Sequence, residues 1–174
     1  MSFLDLSRTR YSVRKFVDTP VEQEKLDAIL EAGRISPTAT NAQPVVVYVL
    51  KSAEALAKLD SVTRMRYGAP VALLVCFDTD RVWKNGRETF FEGYNSGEMD
   101  GSIVCDEMML AATELGLGTL WARGYDSADF IRVFELPENI LPVCLLDVGY
   151  AAEDSVPSPK HTDRKPMEEF AIEL

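Results

Sequence analysis

Histidine occurs only once in this chain, at His161. Cysteine is scarce as well: Cys76, Cys105 and Cys144 are odd in number, widely spaced and set among apolar residues, with no Cys-x-x-Cys pair. That supply of ligands argues against a metal site. The three thiols read as reduced, buried core residues. No apolar run approaches the roughly 20 residues that span a bilayer. Asp5 interrupts the N-terminus before a basic-then-apolar leader pattern can build. The expectation is a cytoplasmic chain with no membrane partner. Positive charge is in deficit, with 18 Lys+Arg against 28 Asp+Glu and a net charge of −10. Such a chain repels polyphosphate backbones, which disfavours nucleic-acid binding. Internal repeats, low-complexity segments and a GxGxxG turn are all missing.

What is present is an ordinary globular composition over 174 residues, 47% apolar and 26% charged. One domain spanning 1–174 is the default at this length. Against the acidic background, Arg8, Arg10, Arg14 and Lys15 crowd between positions 8 and 15. In an extended stretch, residues i, i+2 and i+4 share a side. Arg10, Ser12 and Arg14 then form one face, with two guanidinium forks and a hydroxyl suited to a phosphate monoester. Taken alone, the run reads equally as a solvated basic turn.

The hydrophobic pattern predicts α+β architecture with helices interleaved among a few apolar strands. Phe3 to Ser7 makes one short helical turn. Thr19-Pro20-Val21-Glu22 reads as a helix start, followed by Leu26, Ile29, Leu30 and Gly33 at helical spacing, with Ser36-Pro37 as the stop. Val45–Leu50, Val71–Phe77 and Pro142–Val148 read as strands buried on both faces. Ser52 caps a helix from Ala53 to about Leu59. Asp100 opens the longest helix, which runs to about Leu115 and stops at Gly116. Thr119–Ala122 is extended, and Ser127 caps a further helix through Phe134. Residues 78–99 are aromatic and follow no clear pattern. The tail from about 151 to 174 carries Pro157, Pro159 and Pro166 and has little to build a core of its own.

Three more segments carry chemistry. Residues 36–44, Ser-Pro-Thr-Ala-Thr-Asn-Ala-Gln-Pro, form a loop of small residues with two carboxamides, which can meet a heterocycle edge or a polyol or simply satisfy loop backbone. Residues 116–126 contain Gly118, Ala122 and Gly124, small enough for backbone to approach a planar ligand. Residues 160–166 form a late basic cluster, either a solvated tail or the completion of an anion site.

In that order the four segments resemble the nitroreductase family of FMN-dependent oxidoreductases over nearly the whole chain. Arg10, Ser12, Arg14 and Phe16 look like the family's R-x-S-x-R-x-F opening. The 36–44 loop is similar to its P-S-S-x-N-x-Q-P stretch, residues 116–126 to its loop over the flavin edge, and Arg164 to Phe170 to its basic ending before a last strand. The resemblance implies a three-layer α+β fold, a central mixed or antiparallel sheet flanked by helices, assembled as an intertwined homodimer whose 151–174 arm reaches the partner. It implies FMN as cofactor and NADH or NADPH as reductant. Arg10, Tyr11, Ser12 and Arg14, with Arg164 and Lys165, would hold the phosphate and ribityl end. Pro37, Thr38, Ala39, Asn41 and Gln43 would reach a flavin bound mainly by the other subunit. Backbone at Ala122, Arg123 and Gly124 would meet the reactive edge, and Phe90, Phe91 and Tyr94 would stack on substrate or else pack as ordinary aromatics. The implied activity is ping-pong hydride transfer to a nitroaromatic, quinone or enone, with no catalytic side chain, since the flavin carries the chemistry. Flavin-cleaving or dehalogenating relatives, a non-catalytic flavin-binding dimer, and a phosphate-anchored hydrolase or transferase are the alternatives. Two positions depart from the family pattern: Val45 stands where an aromatic often follows the proline, and Thr162 where a cation often precedes the late arginine.

Overall fold

The computed structural model describes residues 2–84 and 94–174. Its strands are β1 (Val45–Leu50), β2 (Val71–Asp78), β3 (Gly118–Ala122) and β4 (Ile140–Gly149). They form one sheet in the order β1-β2-β4-β3, every neighbouring pair antiparallel. The helices are α1 (Phe3–Thr9), α2 (Gln23–Arg34), α3 (Ala53–Val62), α4 (Gly97–Glu114), α5 (Ser127–Phe134) and α6 (Met167–Phe170).

Alternation along β2 builds two cores. Leu73, Val75 and Phe77 pack with Leu26 and Ile29 of α2 and Val104, Cys105 and Met108 of α4. Ala72, Leu74 and Cys76 pack with Leu59 of α3 and Phe130 of α5 on the opposite face. The result is a helix–sheet–helix sandwich with β2 and β4 at its centre. Among the described residues, no helix is long and apolar enough to cross a membrane.

Local chemistry explains most boundaries. Ser2 caps α1 through a reciprocal pair with Asp5. Ser52 Oγ accepts from Ala55 N at the start of α3. Gly116, at φ 79°, takes the left-handed position that ends α4.

Five expectations need correction. The cap of α5 is Asp126, whose carboxylate accepts from Ala128 N, and Ser127 is the first residue of the helix. β1 is an edge strand with only partial burial from Val45 to Val49, because the covering helices do not extend fully over the sheet's margin. α2 begins at Gln23, not Thr19: Glu22, at ψ 140°, is the cap, and Thr19–Val21 lie outside the helix, just after Phe16 and Val17 pair with Ala151 and Tyr150. α4 begins three residues before Asp100, which lies inside the helix and is fully buried. After Arg164 the chain forms the short helix α6 and no strand among residues 171–174. A bulge at Val75/Cys76 in the β2–β4 ladder turns both Val143 and Cys144 toward α4. All three cysteines are buried and unbridged, and burial pushes the Cys76 thiol up to about 12.

Candidate functional site

The basic run is extended, as its spacing predicts, and is stitched into the end of the sheet. Ser12 bridges Thr119 in parallel, and Val13 N donates to Thr119 O at 2.9 Å. Val17 N donates to Tyr150 O, and Ala152 N to Lys15 O, each at 2.9 Å. Val13 is buried over Gly118, where an added Cβ would lie 2.7 Å from the valine methyl. Tyr11, Val13 and Lys15 therefore face the body and the tail: Tyr11 bonds Ser155, and Lys15 pairs with Asp154. Two-residue periodicity leaves Arg10, Ser12 and Arg14 on the other side. Arg10 and Ser12 are half-buried, and Arg14 is exposed with Nη1 3.2 Å from Ser12 O. Among the described residues, neither guanidinium has a carboxylate partner.

The other end of the chain comes back to this run. A 3-10 turn over Pro159–Thr162 places His161 Nε2 3.1 Å from Arg8 O, with the imidazole edge-on to Tyr11 at 6.3 Å between centroids. Arg164 Nη1 donates to the carbonyls of His161 (2.8 Å) and Asp163 (2.6 Å), folding over its own turn with no carboxylate partner among the described residues. Lys165 is exposed. A cleft of about 180 Å³ opens between Arg10, Tyr11 and Thr113 on one side and Gly116 to Thr119 on the other. Thr119, which lines it, has a buried Oγ1 without a hydrogen-bond partner.

The 36–44 loop is strained. Thr40, Asn41 and Gln43 all have φ near +55° (54°, 56° and 51°), and none is glycine. Each such residue costs on the order of 1–3 kcal/mol, and such conformations cluster at functional sites. Gln43 N donates to Thr38 Oγ1 at 3.0 Å, and Ala39 N to Asp100 Oδ1 at 2.9 Å. The Gln43 carboxamide is spent on Asn41 Oδ1 at 3.2 Å. Pro37 and Thr38 lead into the turn over Ala39–Asn41. Within the chain, no hydrogen bond joins residues 37–43 to residues 10–14 among the described residues.

The 116–126 segment leaves β3 at Ala122. Arg123 Nη1 donates to Val143 O at 2.6 Å, at the residue that the bulge sets apart from the ladder, and Nη2 reaches Glu98 of α4 at 3.0 Å. Gly124 O accepts from Thr63 Oγ1 at 3.2 Å, with Met65 against its Cα. The first turn of α4 thus anchors two site segments, through Asp100 to Ala39 and through Glu98 to Arg123. Trp121 is 37% exposed and Tyr94 39%, the latter beside Met99. Phe90 and Phe91 lie outside the described residues. Sequence reasoning took Asp100 for a helix opener and passed over Ser96; the signal for both was a polar pair at i, i+4 beginning an otherwise apolar helix.

One buried group stands apart from this region. Asp147 of β4 is fully buried between Ala72 and Leu120, with neither carboxyl oxygen hydrogen-bonded. Burial pushes it up to about 8, against a smaller opposing pull from the Arg66 guanidinium.

The sequence model of the Nitroreductase family matches residues 7–150. The chain is 34% identical over 161 residues to a protein of Methanothermobacter thermautotrophicus named as a putative NADH dehydrogenase/NAD(P)H nitroreductase, covering 88% of this chain and 80% of the relative. It is 31% identical over 164 residues to an FMN reductase [NAD(P)H] of Bacillus subtilis, covering 86% of this chain and 66% of the relative. Among solved structures, a nitroreductase family protein from Clostridium difficile 630 superposes with a TM-score of 0.89 at 38% identity, covering 98% of this chain and 97% of that one.

Proposed function

The chain belongs to the nitroreductase family, and we propose that it is an FMN-dependent NAD(P)H oxidoreductase acting as a homodimer. The observation that carries this reading is the meeting of the two chain ends. The Tyr11–Ser155 and Arg8–His161 contacts bring the tail, and with it the turn that carries Arg164, back to the N-terminal basic segment. Among the described residues the guanidinium groups of Arg10, Arg14 and Arg164 have no carboxylate partner, which in a chain of net charge −10 calls for an external anion. Thr119, which lines the cleft with Arg10, is itself buried and ties the basic run to the sheet through its carbonyl. This guanidinium donor set fits the phosphate monoester of FMN.

Arg10, Arg14, Arg164 and Lys165 would bind the phosphate end, with Tyr11 holding the tail in place and Ser12 facing the ribityl or pyrimidine side. Pro37, Thr38, Ala39, Asn41 and Gln43 would meet the cofactor held by the partner protomer. Both terminal nitrogens of Arg123 are held, by Val143 O and by Glu98, which would steady the backbone of Ala122 and Gly124 where it meets the reactive edge. Bound FMN would supply two-electron chemistry, taking hydride from a nicotinamide and passing it to a nitroaromatic, quinone or enone. Guanidinium groups and backbone donors set in advance would stabilise negative charge on the reduced form. The tail from 151 onward would wrap the second protomer: Val156, Met167, Phe170 and Ile172 are each more than 70% exposed (76, 71, 79 and 76%). Apolar side chains at that exposure need cover from outside the protomer.

The test is a visible absorption spectrum of the protein purified with excess FMN, taken before and after anaerobic addition of NADH and then NADPH. The expected result is one tightly held flavin per chain, bleached by at least one nicotinamide, on a species of dimeric mass. A protein that retains no FMN, or one that stays yellow with both reductants, overturns the reading.

A further inference from the structure

Asp100 belongs neither to the basic grip nor to the 122–124 edge, yet it is wholly buried with both oxygens engaged. Oδ1 accepts from Ala39 N at 2.9 Å, and Oδ2 from Ser96 Oγ at 2.6 Å. Ser96 Oγ accepts in turn from Trp83 N at 3.2 Å, and Ser96 N donates to Trp83 O at 3.0 Å. Taking a carboxylate out of water is costly unless it is hydrogen-bonded. Here one partner, Ser96, is four residues away, and the other, Ala39, is 61 positions removed.

The Ala39 amide opens the turn in which Thr40, Asn41 and Gln43 are left-handed. A β-branched residue such as Thr40 pays heavily for that conformation, which persists only where the surroundings over-determine it. The bonds from Gln43 N to Thr38 Oγ1 and from Ala42 N to Ala39 O lie inside the loop and would move with it. The Asp100 bond ties the loop to the long central helix.

We propose that Asp100 is a positioning residue of the cofactor site, its carboxylate holding the Thr38–Gln43 loop in the left-handed form that presents Thr38 and Asn41 to the flavin. The proposal rests on the functional reading above. Without Asp100 the loop relaxes toward ordinary backbone angles, and the two side chains swing out of register with the cofactor.

The test compares FMN dissociation constants, by flavin fluorescence quenching, for the wild type, Asp100→Asn and Asp100→Ala. Leu59→Ala, in the core on the other face of the sheet, serves as a control for general destabilisation. Amide hydrogen exchange at Ala39, with Leu74 as reference, is read on the cofactor-free chains. The expected result is a graded loss. Asparagine keeps one acceptor oxygen and weakens FMN binding a few-fold, about threefold to tenfold, while alanine weakens it about tenfold to a hundredfold. Exchange at Ala39 quickens in both variants with Leu74 unchanged, and Leu59→Ala keeps wild-type FMN affinity. FMN affinity within about twofold of wild type in the Asp100 variants overturns the proposal, and so does an equal loss in Leu59→Ala. If Asp100→Ala does not fold, Asp100→Asn decides by the same two readouts. A wild type that binds no FMN overturns the functional reading instead, and exchange at Ala39 then still shows whether Asp100 holds the loop.

Discussion

The Tyr11 hydroxyl donates to the Ser155 carbonyl at 3.2 Å, across 144 positions of sequence. With Lys15–Asp154 beside it, this contact closes the chain into a loop that sets the C-terminal arm against the N-terminal basic run. Closing a loop of that length is entropically expensive. The sheet offsets the cost, because residues 12–17 are already bonded to Thr119, Tyr150 and Ala152.

Arg14→Ala removes one charged donor from the proposed phosphate grip, and Arg164→Ala another. Each loses a contact worth about 1.5–3 kcal/mol, so the FMN dissociation constant rises about tenfold to a hundredfold. Because both side chains sit on the surface, melting temperatures stay close to wild type. Isothermal titration with FMN, paired with thermal melts, checks both parts.

Asp147 makes stability depend on pH. Its carboxyl is raised from 3.8 to about 8 in the folded chain, chiefly by burial. The native state then binds more protons than the unfolded one between those values. Stability is therefore fully present below about pH 4, falls as pH rises, and has lost this contribution above about pH 8. The slope approaches about 1.4 kcal/mol per pH unit inside the window. Asp147→Asn, which does not titrate, removes that slope and is the more stable form at pH 8.5. Urea denaturation of both proteins from pH 5 to 9 measures the difference.

Gly97 opens α4 directly against the Phe77 ring. A Cβ there would sit 2.4 Å from Phe77 Cδ2. Gly97→Ala overpacks this contact and costs about 1–3 kcal/mol, despite alanine's better helix propensity. Phe77→Leu combined with Gly97→Ala recovers part of the loss, visible as a favourable coupling in a double-mutant cycle of denaturant midpoints.

Phe130 is the largest fully buried side chain among the described residues, set between Tyr125 and Phe134 at centroid distances of 4.2 and 5.8 Å. Phe130→Ala costs about 3–5 kcal/mol. It empties the α3/α5 face, so FMN affinity under native conditions holds while the melting temperature drops. Differential scanning calorimetry beside a flavin titration separates the two effects.

Elements with an unbroken local pattern were readable from residues alone. β2 and β4 were apparent as β-branched and leucine runs, and α3 from the serine before it. The alternation of Arg10, Ser12 and Arg14 needed only the two-residue repeat of extended chain, and the family resemblance needed only the order of four short segments. Burial, by contrast, depends on what lies across the gap. Val45–Leu50 carries the same composition as the central strands, and only its place at the sheet's margin leaves it half covered. The start of α2 misled because Thr19-Pro20 is a sound capping signal that long-range pairing of the chain before it overrode.

Sequence alone thus determined the strands, most helices and the identity of the basic and carboxamide segments, because each follows from the side-chain periodicity and backbone preferences of a few neighbouring residues. Tertiary structure decided what those segments are tied to: Arg123 to the Val143 carbonyl at a bulge, Ala39 to the buried Asp100 and Tyr11 to Ser155, while the Asp147 carboxyl oxygens have no hydrogen-bond partner among the described residues. These outcomes depend on which groups meet after the chain has folded back on itself. Hydrogen bonding and desolvation act over ångströms of space, whatever the number of residues between the partners.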